Sequence, residues 1–242
     1  HRKLLHGFTH LFVQNKASLK LLQSIGVQQV SISGDTRFDR VGAIEEPLAF
    51  METFVGLRKC IIAGSTWPED EAILRESIRQ TPKDWCWLIA PHEIHGEKLN
   101  QLMTQLPKES LRFTQNEEAA FDGCPVLVLD TVGMLSRCYP YASLAYVGGG
   151  MGNAGLHNIL EPAAQGVPII IGKNYDRFVE AKDLIAQGGV ISIDNADDCS
   201  KQLSILQEND ALRSEKGNTN KSYVLTNKGA TLKIVSILNQ NL

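Results

Sequence analysis

The sequence predicts an α/β fold built on a doubly wound parallel sheet of the Rossmann-like type. Strand-sized apolar runs alternate with helix-patterned segments from one end of the 242-residue chain to the other. Glycines end several of the helical segments, as Gly26, Gly166 and Gly188 do. Because strands that alternate with helices of about ten residues form βαβ units, this pattern favours a parallel sheet covered by helices.

The strands are predicted from short runs of apolar residues bounded by turn residues. Six of the runs lie beyond Leu57, which is enough for one complete Rossmann-like domain. The predicted strands cover residues 11–13, 30–33, 59–63, 85–90, 125–129, 143–147, 167–171 and 190–193.

The helices are predicted between the strands, where apolar residues recur at helical spacing. The segment that begins at Pro68 opens with Glu69, Asp70 and Glu71, which complement the positive N-terminus of a helix. The predicted helices cover residues 18–25, 45–57, 68–80, 94–105, 133–139, 156–165 and 177–187, followed by a mostly helical tail from residue 196.

The composition excludes several classes of protein. Lys and Arg number 24 against 27 Asp and Glu, so the net charge of −3 offers no basic excess for binding nucleic acid. The five cysteines form no C-x-x-C pair and are expected to be buried thiols, with no metal site. No apolar run is long enough to span a membrane and no signal peptide precedes the first strand, so we expect a cytoplasmic chain.

The most informative motif is the glycine-rich loop after the strand at residues 143–147. Gly150, Gly152 and Gly155 fit G-x-G-x-x-G between a strand and a helix, which is the dinucleotide fingerprint. The next strand ends in Gly-Lys-Asn, however, without the acid that holds a dinucleotide ribose. Two interpretations of the loop remain open: a dinucleotide site, and a glycine turn that binds no ligand. We favour a third, in which a nucleotide-type donor lies against the backbone N–H groups of this loop.

Three polar residues follow this loop on what is predicted to be the first turn of the next helix: His157, Asn158 and Glu161. Asn158 and Glu161 are three residues apart, so they share one helix face. A carboxylate can accept hydrogen bonds from both hydroxyls of a ribose, and an amide can donate to a phosphate. The alternative for Glu161 is an acid that only complements the helix dipole.

Two other loops carry side chains suited to an anion. Ser65 and Thr66 follow a strand and precede an acidic helix start, so they either cradle a phosphate or cap the helix. His92 also follows a strand and either faces an anionic ligand or is a solvated loop histidine. Its segment, Pro-His-Glu-Ile-His, lacks the H-E-x-x-H spacing of a zinc protease.

These motifs together resemble the second half of the 3-deoxy-D-manno-octulosonic acid (Kdo) transferases. The glycine-rich loop that leads into H-N-x-L-E-x-A is the most specific of them. The resemblance rests on the segments FVQN at 12–15, GDTRFD at 34–39, AGST at 63–66, APH at 90–92, DTVGML at 130–135, VGGG at 147–150 and HNILEPAA at 157–164.

The resemblance implies a glycosyltransferase of the GT-B type that moves Kdo from CMP-Kdo to the lipid A precursor, without a metal or other cofactor. Its carboxy-terminal domain would hold the CMP-Kdo donor, with Gly149, Gly155 and His157 at the glycine-rich loop. The resemblance further places Ser65, Thr66 and His92 at the phosphate, Gly133, Met134 and Leu135 at the cytosine and ribose, Asn158 at the phosphate side and Glu161 at the ribose.

The resemblance covers only part of the family's pattern. We expect residues 1–40 to be the end of an amino-terminal acceptor domain with a linker, and residues 41–242 to be the donor-binding domain with a helical tail. The chain begins with His, so we expect a piece of a longer protein that lacks the general base and is inactive alone. The acceptor and the membrane would then be reached through the absent domain, at the cytoplasmic face of the bacterial inner membrane.

Two further interpretations stay open. The chain could belong to another GT-B transferase or epimerase that uses a UDP-sugar, since such enzymes also place an acid after the glycine-rich loop. It could also be a dinucleotide-binding or purely regulatory module, or an interaction domain whose pocket binds no ligand. The family's pattern also differs from this sequence at one loop. Where the family has histidine, proline and arginine in the loop after the third strand, this chain has Pro91-His92-Glu93 and no arginine. The phosphate contact that the resemblance implies for that arginine is therefore absent from this segment.

Overall fold

The computed structural model describes residues 2–42 and 46–240. The chain divides into two compact units: His1–Ala43 with Tyr223–Leu242, and Ile44–Ser222. The sequence places the whole tail from residue 196 with the second unit, whereas the division in the structure falls at Tyr223. Among the described helices, none is both long and apolar enough to cross a bilayer.

The described elements follow the predicted alternation of strands and helices. The strands are β1 (Leu11–Val13), β2 (Val30–Ile32), β3 (Lys59–Thr66), β4 (Trp85–Pro91), β5 (Leu111–Arg112), β6 (Val126–Val128), β7 (Leu144–Val147), β8 (Ile169–Gly172) and β9 (Val190–Ile193). The helices are α1 (Arg2–Leu5), α2 (Lys16–Ser24), α3 (Arg37–Arg40), α4 (Ala49–Val55), α5 (Pro68–Arg79), α6 (Gly96–Gln105), α7 (Leu135–Cys138), α8 (Leu160–Ala164), α9 (Val179–Ala186), α10 (Ala196–Glu208), α11 (Asp210–Thr226) and α12 (Ala230–Gln240).

The first unit contains the parallel pair β1–β2, with Leu11 opposite Val30. Its last helix, α12, begins next to α3 because Asp39 accepts hydrogen bonds from the N–H groups of Gly229 (2.6 Å) and Thr231 (2.7 Å). These two bonds lower the pKa of Asp39, since they favour the ionised carboxylate. The start of α12 is therefore bonded to α3 within this unit.

The second unit contains a seven-stranded parallel sheet in the order β5-β6-β4-β3-β7-β8-β9. Without the edge strand β5, this is the Rossmann order 3-2-1-4-5-6. Strands β4, β6, β7 and β8 are buried at every position, so both faces of the sheet are covered. The predicted α/β, doubly wound class is confirmed.

The core explains why the apolar runs become strands. Trp87 and Tyr146 project from neighbouring parts of the sheet into one cluster, which also receives Leu74 from α5 and Leu203 from α10. All five cysteines are buried, as predicted. Two predictions of detail were wrong: β5 was not predicted, because two residues are too few for a periodic signal, and the helix predicted at 156–165 begins only at Leu160.

The helix predicted at residues 45–57 is shorter in the structure. Its predicted first residue, Glu45, lies outside the described residues, and α4 begins at Ala49. The short helices α1 and α3 were not predicted. The remaining helices and strands differ from the prediction mainly at their ends, where boundaries depend on local caps. For example, α2 begins at Lys16 because the Asn15 side chain accepts a hydrogen bond from the Ser18 N–H.

Asn220 connects α11 to the sheet. Its side chain is fully buried, and Nδ2 donates to the carbonyls of Val167 (2.7 Å) and Gly189 (3.0 Å), which precede β8 and β9. We expect Asn220→Ala to lower the free energy of unfolding by about 1–3 kcal/mol, because both buried carbonyls lose their donor. Urea unfolding measures the change, with the exposed Asn218→Ala as a matched control. Equal stability of the two variants would contradict this role.

Candidate functional site

The candidate site lies where β3 and β7 meet, at the topological switch point of the sheet. In a doubly wound sheet, ligands bind at this point, outside the carboxyl ends of the strands. β3 ends there in a bulge: Gly64 pairs with Ala90, Thr66 pairs with Pro91, and Ser65 between them has a φ of +54°. Among the described residues other than glycine, Ser65 alone has a positive φ. The bulge turns the end of β3 toward the loop that follows β7.

A buried carboxylate connects the two loops at this point. Asp70, in the first turn of α5, is fully buried and accepts hydrogen bonds from three groups. These are the N–H of Trp67 (2.9 Å), the N–H of Gly149 (2.8 Å) and the hydroxyl of Tyr146 (2.7 Å). The loop after β3, the glycine-rich loop and β7 are therefore held by one side chain. Burial raises the pKa of Tyr146, and the neighbouring Asp70 raises it further.

The glycine-rich loop packs closely against its neighbours. The Gly148 N–H donates to the Gly64 carbonyl (2.9 Å), so the loop begins hydrogen-bonded to the end of β3. A Cβ at Gly148 would lie 2.3 Å from the Ser65 carbonyl oxygen, and one at Gly150 would lie 2.9 Å from the Gly172 nitrogen. These glycines therefore allow backbone segments to approach each other, which is one reason for the motif independent of any ligand.

Two of the three residues predicted on a helical first turn precede the helix. The His157 N–H donates to the Gly148 carbonyl (3.1 Å), and Asn158 Oδ1 accepts from the Leu160 N–H (3.1 Å). Because these bonds hold the chain in a turn, α8 begins only after Asn158. Glu161 does lie in the first turn of α8, and Asn158 Nδ2 donates to its Oε1 (3.0 Å). Burial raises the pKa of Glu161, and the Asn158 hydrogen bond opposes this shift.

Three rings stack beside this loop. The Trp67 and His92 rings lie 4.5 Å apart and nearly parallel, and the His92 and His157 rings lie 4.6 Å apart. Trp67 Nε1–H donates to His157 Nε2 at 3.0 Å. The His92 N–H is bonded to the Thr66 carbonyl (2.9 Å), which places the histidine next to the bulge of β3.

Thr66 is not the N-cap of α5, which is Trp67. The Thr66 hydroxyl instead donates to Glu71 Oε1 (3.0 Å) and is almost fully buried. Burial raises the pKa of Glu71, and this hydrogen bond opposes the shift. The sequence leaves open whether Thr66 caps α5. In the structure it does not, and its hydroxyl bonds to the side chain of Glu71 in the first turn of that helix.

The segment after β6 reaches the same region through Leu135 and Tyr139, which both lie against Gly64. Leu135 Cδ2 lies only 2.9 Å from the position that a Cβ of Gly64 would occupy, so this leucine covers the end of β3. Tyr139 is buried nearby, and the Glu161 carboxylate adds to the effect of burial in raising the pKa of its hydroxyl. Met134 Sδ accepts from the Thr131 hydroxyl (3.3 Å), and Gly133 is exposed with a φ of +84°.

A cavity of about 380 Å³ lies beside the glycine-rich loop, within the usual size range of small-molecule sites. Its two walls are the glycine-rich loop and the connection from β8 to α9. The Asn174 N–H donates to the Gly150 carbonyl (2.8 Å), which joins these walls. The cavity is lined by Gly152, Asn153, Gly155, Asn174, Asp176, Arg177 and Phe178.

The structure thus groups the candidate residues around the ends of β3 and β7. His92 contacts both Thr66 and His157, and His157 lies against Gly149. Ser65 precedes Thr66 in the chain and lies against Gly148, and Asn158 is bonded to Glu161. Gly155 lies on the cavity side of the loop. Leu135 joins this group at Gly64, whereas Met134 contacts Thr131 and Cys138 instead and Gly133 is exposed.

Sequence reasoning missed two residues of this region. Trp67 lies between the Ser65-Thr66 pair and Pro68, but a single tryptophan forms no recurring pattern that would mark it as part of a site. Asp70 was interpreted only as an acid that complements the helix dipole. Its carboxylate accepts from the N–H of the N-cap residue, as the acid of a capping box does, but an indole cannot supply the other half of that motif, so the sequence carries no clear signal for it.

Comparisons with known proteins agree with this geometry, although no protein-family model matches the chain. A curated 3-deoxy-D-manno-octulosonic acid transferase of Haemophilus influenzae is 28% identical over 238 residues, 93% of this chain and 55% of that protein. The C-terminal CMP-Kdo binding domain of WaaA from Acinetobacter baumannii has a TM-score of 0.60 at 19% identity, covering 73% of this chain and 98% of that one. WaaG, a glycosyltransferase involved in lipopolysaccharide biosynthesis, has a TM-score of 0.54 at 12% identity, covering 89% of this chain and 58% of that one.

The two solved structures share the fold of this chain, so the predicted doubly wound α/β class is found in them too. The chain spans about half the length of the curated relatives that it matches. Over most of its own length it is similar to the carboxy-terminal half of the 3-deoxy-D-manno-octulosonic acid transferases, as its sequence motifs indicate.

Proposed function

We propose that this chain binds CMP-Kdo as the donor-binding part of a Kdo transferase. The observation that carries the proposal is the meeting of two motifs at the switch point: the bulge at Ser65 and the segment from His157 to Glu161 both adjoin the start of the glycine-rich loop. Nucleotides bind at this position in doubly wound sheets. The similarity to Kdo transferases supplies the identity of the donor.

The residues of the site suit the parts of a cytidylate. The half-buried Glu161 carboxylate can accept from both ribose hydroxyls, while Asn158 fixes its orientation. Ser65, His92 and His157 offer donors to the phosphate. Leu135 supplies an apolar surface for the cytosine at the end of β3.

For the whole enzyme, we propose transfer of Kdo to the lipid A precursor at the cytoplasmic face of the bacterial inner membrane. A carboxylate would remove the proton of the acceptor hydroxyl as its oxygen bonds to the anomeric carbon, and the bond from that carbon to the CMP phosphate breaks. Polar donors at the site would stabilise the departing phosphate. We assign donor binding but no general base to this chain, which alone is expected to bind donor without turnover.

The nucleotide specificity tests the proposal against its rivals. Isothermal calorimetry of the 242-residue chain with CMP, UMP, UDP and NADH compares the candidate ligands directly. Preference for CMP supports the Kdo transferase function. Preference for UDP would instead indicate a UDP-sugar transferase or epimerase, and preference for NADH a dinucleotide-binding module.

The ribose contact can be tested at one residue. We expect Glu161→Gln to weaken CMP binding about tenfold to a hundredfold, because hydrogen bonds to a charged acceptor become bonds to a neutral amide. The matched control is Glu76→Gln, which changes an exposed acid of α5. Unfolding in urea checks that both variants fold. Unchanged CMP affinity in the Glu161 variant would contradict the assignment.

A further inference from the structure

The ring of His157 has two chemically different nitrogens in this structure. Nε2 lies 3.0 Å from Nε1 of Trp67. An indole N–H only donates hydrogen bonds, so Nε2 of His157 must accept and therefore carries no hydrogen. The hydrogen of the neutral imidazole is then on Nδ1. Among the described residues, Nδ1 has no hydrogen-bond partner, so this donor is left for another molecule.

The surroundings of His157 oppose, on balance, a positive charge on its ring. Burial lowers the pKa of His157, the adjacent His92 lowers it further, and Asp70 acts in the opposite direction. The ring also lies against the glycine-rich loop, because its Cδ2 is 3.0 Å from the position that a Cβ of Gly149 would occupy. A half-buried imidazole pressed against the loop, with one nitrogen already bonded, is well suited to remain neutral.

Trp67 is itself fixed on three sides. Its backbone N–H is bonded to Asp70, and its ring stacks on His92. The Lys98 ammonium, paired with Glu93, lies 5.9 Å from the indole ring. The indole therefore presents Nε1–H to His157 in one orientation.

We propose that Trp67 is a positioning residue that holds His157 as the neutral tautomer with its hydrogen on Nδ1, so that Nδ1–H donates to an anionic oxygen of the bound ligand. The proposal rests on the proposed function for the identity of that oxygen, a phosphate oxygen of the nucleotide. The tautomer itself does not depend on the ligand.

The tautomer can be measured directly in the 242-residue chain. Long-range proton–nitrogen NMR spectra distinguish the two ring nitrogens, and comparison with His157→Gln assigns the His157 signals. We expect the spectrum of the unaltered chain at neutral pH to show hydrogen on Nδ1. A His157 ring with its hydrogen on Nε2 would overturn the proposal without any variant.

The role of the indole N–H is tested by Trp67→Phe, which keeps an aromatic ring and removes the donor. We expect His157 to change toward the Nε2–H tautomer, its titration midpoint to rise, and CMP affinity to fall about threefold to tenfold, the size of one hydrogen bond. Trp87→Phe is the matched control, because Trp87 donates its indole N–H to Thr81 (2.6 Å) in the core. That variant should leave the His157 tautomer and CMP affinity unchanged.

The outcomes separate this proposal from the proposed function. Failure of the unaltered chain to bind CMP, with hydrogen on Nδ1, would contradict the proposed function and still support the positioning role of Trp67. An unchanged tautomer in folded Trp67→Phe would overturn that role. A changed tautomer with unchanged CMP affinity would overturn the donation from Nδ1 to the ligand.

Discussion

Replacing Asp70 with alanine is expected to lower the free energy of unfolding by about 3–5 kcal/mol. The substitution leaves three donors without their acceptor: the N–H groups of Trp67 and Gly149 and the hydroxyl of Tyr146. Asp70 is fully buried, so water does not readily replace the carboxylate. Each unsatisfied buried donor costs about 1–3 kcal/mol, and the costs are less than additive because the site can relax.

Urea unfolding of Asp70→Ala measures this loss. Tyr146→Phe removes one of the three donors together with its need for an acceptor, so a smaller loss of about 1 kcal/mol is expected. Glu76→Ala, at an exposed position of the same helix, is the matched control and should remain within about 0.5 kcal/mol of the unaltered chain. A loss below 1 kcal/mol for Asp70→Ala would show that the three donors find other acceptors.

Replacing Gly149 with alanine is expected to cost about 2–4 kcal/mol of stability and to weaken CMP binding more than tenfold. Two effects combine at this position. The φ of Gly149 is +89°, which disfavours any residue with a Cβ, and that Cβ would lie 2.1 Å from the Gly155 carbonyl oxygen. The two ends of the glycine-rich loop must therefore separate, which displaces the neighbouring His157.

Gly96→Ala separates these two effects. The φ of Gly96 is +72°, but no atom lies within 4 Å of the position of its Cβ. Only the conformational cost of about 1–2 kcal/mol is expected there, with no change in CMP affinity. Calorimetry and urea unfolding of both variants provide the comparison. Equal effects in the two variants would mean that the close approach of Gly149 and Gly155 is unimportant.

The order of strands and helices in the second unit was predictable because apolar runs and glycine stops are local signals. Trp85–Pro91 and Leu144–Val147 are strands whose apolar runs are buried at every position. The start of α8 was not predictable in the same way. The bond from the His157 N–H to the Gly148 carbonyl is a contact between loop ends that overrides helix propensity.

The sequence predicts which loops form the candidate site, but it does not predict which side chains of those loops contact each other. The position of His157 after a glycine-rich loop is visible in the sequence. Its hydrogen bond to Trp67 depends on two loops that are 90 residues apart meeting at the switch point. The buried position of Asp70 likewise depends on Tyr146, which reaches it from β7. Such pairings depend on the order of the strands in the sheet. That order is set by contacts between residues far apart in the sequence, so local patterns do not predict it.

The bulge at Ser65 has one more consequence. A serine with a φ of +54° costs of order 1 kcal/mol relative to glycine, and the fold carries this strain whether or not a ligand is present. The backbone at Ser65 is thus preorganised: its conformation is set when the chain folds. For the proposed donor contact at Ser65, association would then lose less backbone entropy, and more of the contact energy would be retained as affinity.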